Sequence, residues 1–174
     1  DQKQAHNHYP THLWENERWF PLNNAYLYPH QSLPLDADPF DPSSYEPYKR
    51  DDYAQDRLTE AALNFIQSGS GQPFFLYLAF AAPHAALQVP ELELNQYMHF
   101  EETPYTAQRN YLPHPKPRAA RAAMISNIDS AVGRLMSLLK ELGIDKDTLI
   151  IFSSDNGPTP EGGGDMHFFD SNGP

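Results

Sequence analysis

The sequence contains no cysteine, so neither disulfide staples nor thiolate metal sites enter its chemistry, and cysteine usage says nothing about its redox compartment. It is also short of positive charge: 12 Lys and Arg stand against 23 Asp and Glu, for a formal net charge of -11. Phosphate contacts need a basic face, which argues against a general nucleic-acid binder and leaves room only for a local cationic pocket that takes one anion. Long apolar runs are missing as well. The longest, Phe74 to Ala82, is closed by Pro83 and falls well short of the roughly 18 residues of a membrane-spanning helix. No charged-then-apolar leader stands at the start, where Asp1 opens the chain, and Ser171-Asn172-Gly173-Pro174 closes it in turn chemistry. The expectation is a piece cut at both ends.

What is present suffices for a core, with 174 residues of which 40% are hydrophobic. Residues 1–50 are rich in Pro, Tyr, Asn and His without a sustained period, and read as ordered loop with one short strand. The aromatic residues there, Trp14, Trp19, Phe20, Tyr26 and Tyr28 among them, are too many for a disordered tail and are expected to pack. Thr59 stands as the cap of a short amphipathic helix with Leu58 and Leu63 as its staple, and Ser68-Gly69-Ser70-Gly71 ends it after Gln67. Pro73 to Phe80 is a continuous apolar run that suits a strand covered on both faces. Prolines at 83, 90, 104, 113, 115 and 117 exclude long elements from 81–117. From Arg118 to Leu142, Ile125, Ile128, Val132, Leu135, Leu139 and Leu142 step by three and four, with Gly143 as the C-terminal cap. Thr148 to Ser153 is a second β-rich run. Strand, helix and strand predict a parallel β-α-β unit and an α/β fold with flanking helices.

Ligands of parallel sheets sit beyond the carboxyl ends of the strands. The first strand is followed by Ala81-Ala82-Pro83-His84 and the second by Ser154-Asp155-Asn156-Gly157, so parallel neighbouring strands would put His84 and Asp155-Asn156 on one rim. The Asp155 carboxylate and the Asn156 amide oxygen are hard ligands suited to Ca²⁺ or Mg²⁺, yet Asp-Asn-Gly is equally the composition of an Asx turn. His84 has the chemistry to bind an anion or pass a proton, or to be an ordinary hydrogen-bonded loop residue. His6, His8 and His12 superficially resemble a zinc set but lack a periodic frame and an acidic partner. Arg118 and Arg121 read as the solvated face of their helix, or as a means of steering an anion. The run Glu161-Gly162-Gly163-Gly164 suggests a phosphate cradle, but no Lys-Ser/Thr follows.

Three blocks resemble the type I sulfatases of the alkaline phosphatase superfamily: Pro73 to His84, ending in Ala-Pro-His; Ser126 to Pro158, a helix and a strand ending in Ser-Asp-Asn-Gly; and Glu161 to Pro174. A weaker fourth block is Gln4 to Trp14. The blocks run in the family's order over nearly the whole chain. The resemblance implies a partial alkaline-phosphatase-like sandwich, with residues 1–174 forming the central part of a sulfatase catalytic domain: loop-rich 1–50, helix-strand-loop-helix-strand over 59–158, and loop over 159–174. It implies that Asp155 and Asn156 bind a divalent metal, Ca²⁺ or alternatively Mg²⁺, and that His84 contacts the sulfate group and assists proton transfer. The implied partner is a sulfate ester of a sugar or aryl alcohol, and the implied location is the periplasm or the cell exterior.

The departures limit the resemblance. The family's formylglycine nucleophile arises from Cys/Ser-x-Pro-x-Arg, and neither form occurs here. The family's N-terminal Asp pair and Gly-Lys-Trp-His segment are also missing, as is the Lys expected after Asn-Gly-Pro, and Ala86 replaces the usual Pro after His-x, which implies a less rigid loop behind His84. The expected function is therefore sulfate ester hydrolysis in a longer protein, with the segment itself inactive. The alternatives are a phosphodiesterase or phosphonate hydrolase of the same superfamily, and a non-catalytic binding or assembly module.

Overall fold

The chain is described by a computed structural model over residues 6–69, 71–107 and 110–171. Its first helix, α1 (Ala54–Ser68), starts five residues before Thr59, which corrects the expected cap. Tyr53, at the N-cap position, makes no side-chain cap. Instead the Ala54 amide donates to the His8 carbonyl at 2.9 Å, so a distant segment satisfies a helix-end donor that a cap residue would otherwise take. Thr59 lies inside the helix, buried, and its hydroxyl donates to the Gln55 carbonyl at 2.8 Å. The Gly69 amide closes the end on the Phe65 carbonyl. Ser70, in the expected stop, lies outside the described residues.

A one-turn helix, α2 (Glu91–Leu94), and two short 3-10 turns, Pro42–Tyr48 and Asn95–Tyr97, are the regular pieces of the proline-rich stretches. The long helix α3 (Pro117–Glu141) agrees with the sequence to within a residue at each end. Pro117 occupies its first turn, where a missing amide costs nothing. At the other end Gly143, with φ +71°, donates to the Lys140 carbonyl while the Ile144 amide reaches the Leu139 carbonyl, the paired bonds of a Schellman cap. The predicted stripe is buried at Ile128 and Leu139 and partly at Val132, but Ile125 is exposed, and the N-terminal half instead turns Ala119, Ala120, Ala123, Met124 and Asn127 inward. Small alanines let other backbone approach closely, so the apolar stripe with the larger residues is left partly outside.

The core lies between α3 and the loop that follows residue 80. Ala82, Leu87 and Val89 pack on Ala120, Ala123, Met124 and Ile128, flanked by Phe80, Leu94, Tyr97 and Val132. A second cluster joins Leu27, Ala85, Ala86, Tyr111 and Leu112. Helix α1 is tied to α3 by the Gln55 amide donating to Asn127 Oδ1 at 2.5 Å and by the Asn127 amide donating to Asp56 at 3.2 Å.

Neither apolar run is a strand among the described residues, which corrects the expected β-α-β unit. In the first run burial alternates: Phe74, Leu76, Leu78 and Phe80 are half-buried, while Phe75 and Tyr77 are 88% and 81% exposed. In the second, Leu149 to Phe152 are all exposed. A strand needs a neighbour for its ladder, and no described segment pairs with either run.

The sheet that does form is a hairpin of β1 (His12–Glu15) and β2 (Arg18–Pro21), antiparallel with Trp14 opposite Trp19. Asn16, at φ +57°, turns it, as Asn does more readily than other side chains. Its aromatics pack on each other: the Trp rings meet edge to face at 5.9 Å, and His12 stacks on Trp19 at 4.1 Å. The fold is therefore mixed helix and strand, and no described helix is long and apolar enough to cross a membrane.

Candidate active site around His84

Residues 6–9 run through the molecule as a buried strap. The Asn7 amide donates to the Leu27 carbonyl at 2.9 Å, and the His8 amide donates to Gln88 Oε1 at 3.2 Å. The His8 Nε2–H donates to the His84 carbonyl at 2.8 Å. Burial pushes the His8 imidazole down to about 4, so it is neutral at physiological pH and serves as a fixed donor. Both ends of the 84–88 loop are thus held by one histidine. Ala85 and Ala86 are fully buried behind His84, so packing confines the loop where the resemblance led us to expect a proline.

His84 itself is half-buried. Its Nδ1 sits 2.5 Å from the Ala85 carbonyl. A carbonyl only accepts, so Nδ1 carries the proton and Nε2 is the nitrogen left for other chemistry. The ring is stacked on His6, centroids 4.3 Å apart and planes 11° from parallel, and Tyr111 meets both rings edge-on at 5.6 and 5.7 Å. His30 packs on Tyr111 at 4.9 Å, and the Tyr111 hydroxyl donates to Glu161 at 3.2 Å. Burial foremost, then the neighbouring His84 and His30, hold the His6 proton affinity below the ordinary histidine range.

The segment after residue 158 reaches this cluster through α3. Arg121, expected at a solvated face, is buried and donates to the Thr159 carbonyl at 2.9 Å. Arg118 pairs with Asp165 at 2.7 Å and lies over the Phe168 ring at 4.5 Å. The glycine run is a close-packing device: a Cβ on Gly162, at φ +66°, would stand 2.7 Å from the Ala85 Cβ, and one on Gly164 would collide with the Arg121 guanidinium. This supplies a packing reason for a run that resembled a phosphate cradle.

Asp155 and Asn156 are exposed, and their side chains accept no hydrogen bond among the described residues. The one local bond is from the Ser154 hydroxyl to the Asn156 carbonyl, at 2.8 Å. Two unengaged hard oxygens fit a hard divalent cation in kind, while no group of three His, Asp or Glu that could hold a metal exists among the described residues. No described contact joins the pair to His84, and with the strands unpaired the shared rim does not form. Of the histidines weighed as a zinc set, His6 and His8 lie at the His84 loop and His12 lies on the hairpin. His30, Tyr111 and Glu161 were not singled out as partners of His84, because nothing in their spacing connects them; the proline-broken loops bring them together.

The described site is thus a loop-held histidine with a fixed tautomer, backed by a glycine-packed segment that follows Asp-Asn. The Sulfatase family profile matches residues 3–172, and the chain belongs to the sulfatase family. It is 33% identical over 126 residues to an arylsulfatase of Klebsiella aerogenes, covering 53% of this chain and 27% of that protein. With the N-acetylgalactosamine-6-sulfatase of Mus musculus the identity is 37% over 101 residues, 57% of this chain and 16% of the relative. The crystal structure of Ps i-CgsB in complex with k-i-k-neocarrahexaose superposes with a TM-score of 0.55 at 32% identity, covering 67% of this chain and 24% of that one. The chain thus spans about a quarter, or less, of the length of these relatives. Gln4-Ala5 and Asn172-Gly173-Pro174, at the edges of the resembling blocks, lie outside the described residues.

Proposed function

We propose that this chain is the central part of the catalytic domain of a sulfate ester hydrolase, in which His84 meets the sulfuryl group and Asp155 with Asn156 contributes to a divalent metal site. The observation that carries the reading is the family match over residues 3–172, and the geometry at His84 supports it. Because Nδ1–H is committed to the Ala85 carbonyl, Nε2 is left as the nitrogen that can take up and pass on a proton. In its protonated form it donates to a sulfate oxygen or to the departing alcohol. The strap through His8 and the buried alanines keep that nitrogen in place without help from solvent.

Asp155 and Asn156 would hold Ca²⁺, or alternatively Mg²⁺, which when bound offsets negative charge on the transferring group. The pair supplies two of the six to eight oxygens that Ca²⁺ takes. The remaining donors, on the resemblance, include the family's N-terminal Asp pair, which has no counterpart in this sequence, and the formylglycine nucleophile is likewise not encoded here. The substrate class is a sulfate ester of a sugar or an aryl alcohol, and the location is the periplasm or the cell exterior. The scaffold is a partial alkaline-phosphatase-like sandwich whose sheet is completed outside this chain.

The test is hydrolysis of an aryl sulfate by a full-length protein carrying this segment, compared with the 174 residues alone. We expect turnover in the former, loss on chelation, recovery with Ca²⁺, and none in the latter. Asp155→Ala should raise the Ca²⁺ needed for half-maximal rate. Turnover by the isolated chain, or a preference for a phosphodiester over the sulfate ester, would overturn the reading.

A further inference from the structure

We infer that His6 is a positioning residue for His84, presenting a flat face that fixes the plane of the His84 ring. The inference rests on the reading of His84 as the group that meets the sulfuryl moiety. Hydrogen bonds hold the His84 edge at Nδ1 and its backbone at the carbonyl, but neither restrains the ring face. His6 covers that face with planes only 11° apart. His6 is braced in turn: its ring meets His30 edge-on at 6.0 Å and Tyr111 at 5.7 Å, and Tyr111 is anchored on Glu161. Its backbone leads directly into the buried Asn7 and His8, so the stack is fastened to the same strap that clamps the loop.

The chemistry of the pair divides the roles. Two imidazolium rings stacked at 4.3 Å would repel, so the stack favours a single charge. Burial, then the neighbouring His84 and His30, lower the His6 proton affinity, and its Nδ1 is buried without a hydrogen-bond partner among the described residues. With that nitrogen unengaged and the ring stacked on His84, His6 contributes by its face and not by a nitrogen.

The experiment compares His6→Ala and His6→Phe in the full-length protein. Phenylalanine keeps a flat ring and removes both nitrogens. We expect His6→Ala to lower kcat by roughly 10- to 100-fold with KM within about threefold, and His6→Phe to restore kcat to within about threefold of the parent. A His6→Phe enzyme as slow as His6→Ala would overturn the inference, because a nitrogen would then be required; so would parental rates in His6→Ala. His84→Ala separates the two levels of the argument. Full activity in His84→Ala removes the reading of His84 itself, whereas its loss beside an unaffected His6→Ala removes only the role of His6. If His6→Ala does not fold, the rate of His6→Phe decides alone.

Discussion

Gly162 shows how one missing side chain governs the site. Its left-handed φ of +66° is unfavourable for any L residue, and an added methyl would meet the Ala85 Cβ at 2.7 Å, one residue from His84. Gly162→Ala should therefore destabilise the fold by about 2 kcal/mol, read from the urea midpoint, and should lower the activity of the full-length protein through displacement of the 84–88 loop. His8 makes a second prediction, about pH. Its ordinary value is 6.5 and burial brings it down to about 4 in the folded chain. The folded state thus holds fewer protons than the unfolded one between those values. The stabilisation associated with neutral His8 is complete above about pH 6.5 and is lost as pH falls toward 4, a decline of about 3 kcal/mol over the window. Denaturant midpoints measured from pH 7 to 4 should fall, and His8→Gln, which keeps a side-chain donor, should flatten that slope. His114, also pushed down to about 4 by burial, acts in the same direction.

At the scale of elements, α3 carries the arrangement, and its start is an instance of long-range capping. Lys116, the N-cap residue, makes no side-chain cap bond; instead the Glu102 carboxylate accepts from the Arg118 amide at 2.5 Å and from the Ala119 amide at 3.2 Å. A carboxylate there also meets the positive end of the helix dipole. Glu102→Ala should cost about 1–2 kcal/mol, measured by thermal unfolding followed in the helical circular dichroism signal. No sequence rule of local spacing finds such a cap, because the partners are sixteen residues apart across a loop. The same reason explains which elements were legible. Helix α3 could be read from its own periodicity, its proline and its glycine, all local signals. The cap expected at Thr59 lies six residues beyond the real one at Tyr53, because the helix's N-terminal partner is the His8 carbonyl. His84, Asp155 and Asn156 stood out by motif, but the ring stack around His84 depends on loops whose spacing encodes no period. The two apolar runs were legible as β-prone and not as unpaired, since composition records a preference for a ladder and not the presence of a neighbour.

The whole molecule therefore has regions of different character. One is the core between α3 and the 82–89 loop. The two apolar runs instead expose Phe75, Tyr77, Leu149, Ile151 and Phe152, with backbone that no described strand pairs. Unpaired β-prone segments of this kind invite association. The isolated 174 residues should sediment as concentration-dependent oligomers, and the double substitution Phe75→Lys with Ile151→Lys should return them toward a monomer. A wild-type chain that stays monomeric across the micromolar range would contradict the expectation. The hairpin has a practical consequence. The chain has two tryptophans, and both sit on β1 and β2, largely open to water and touching each other and His12. Intrinsic fluorescence is therefore a reporter of a ribbon of two four-residue strands and not of the helices. An emission shift that precedes the loss of ellipticity would mark the ribbon fraying with every helix intact.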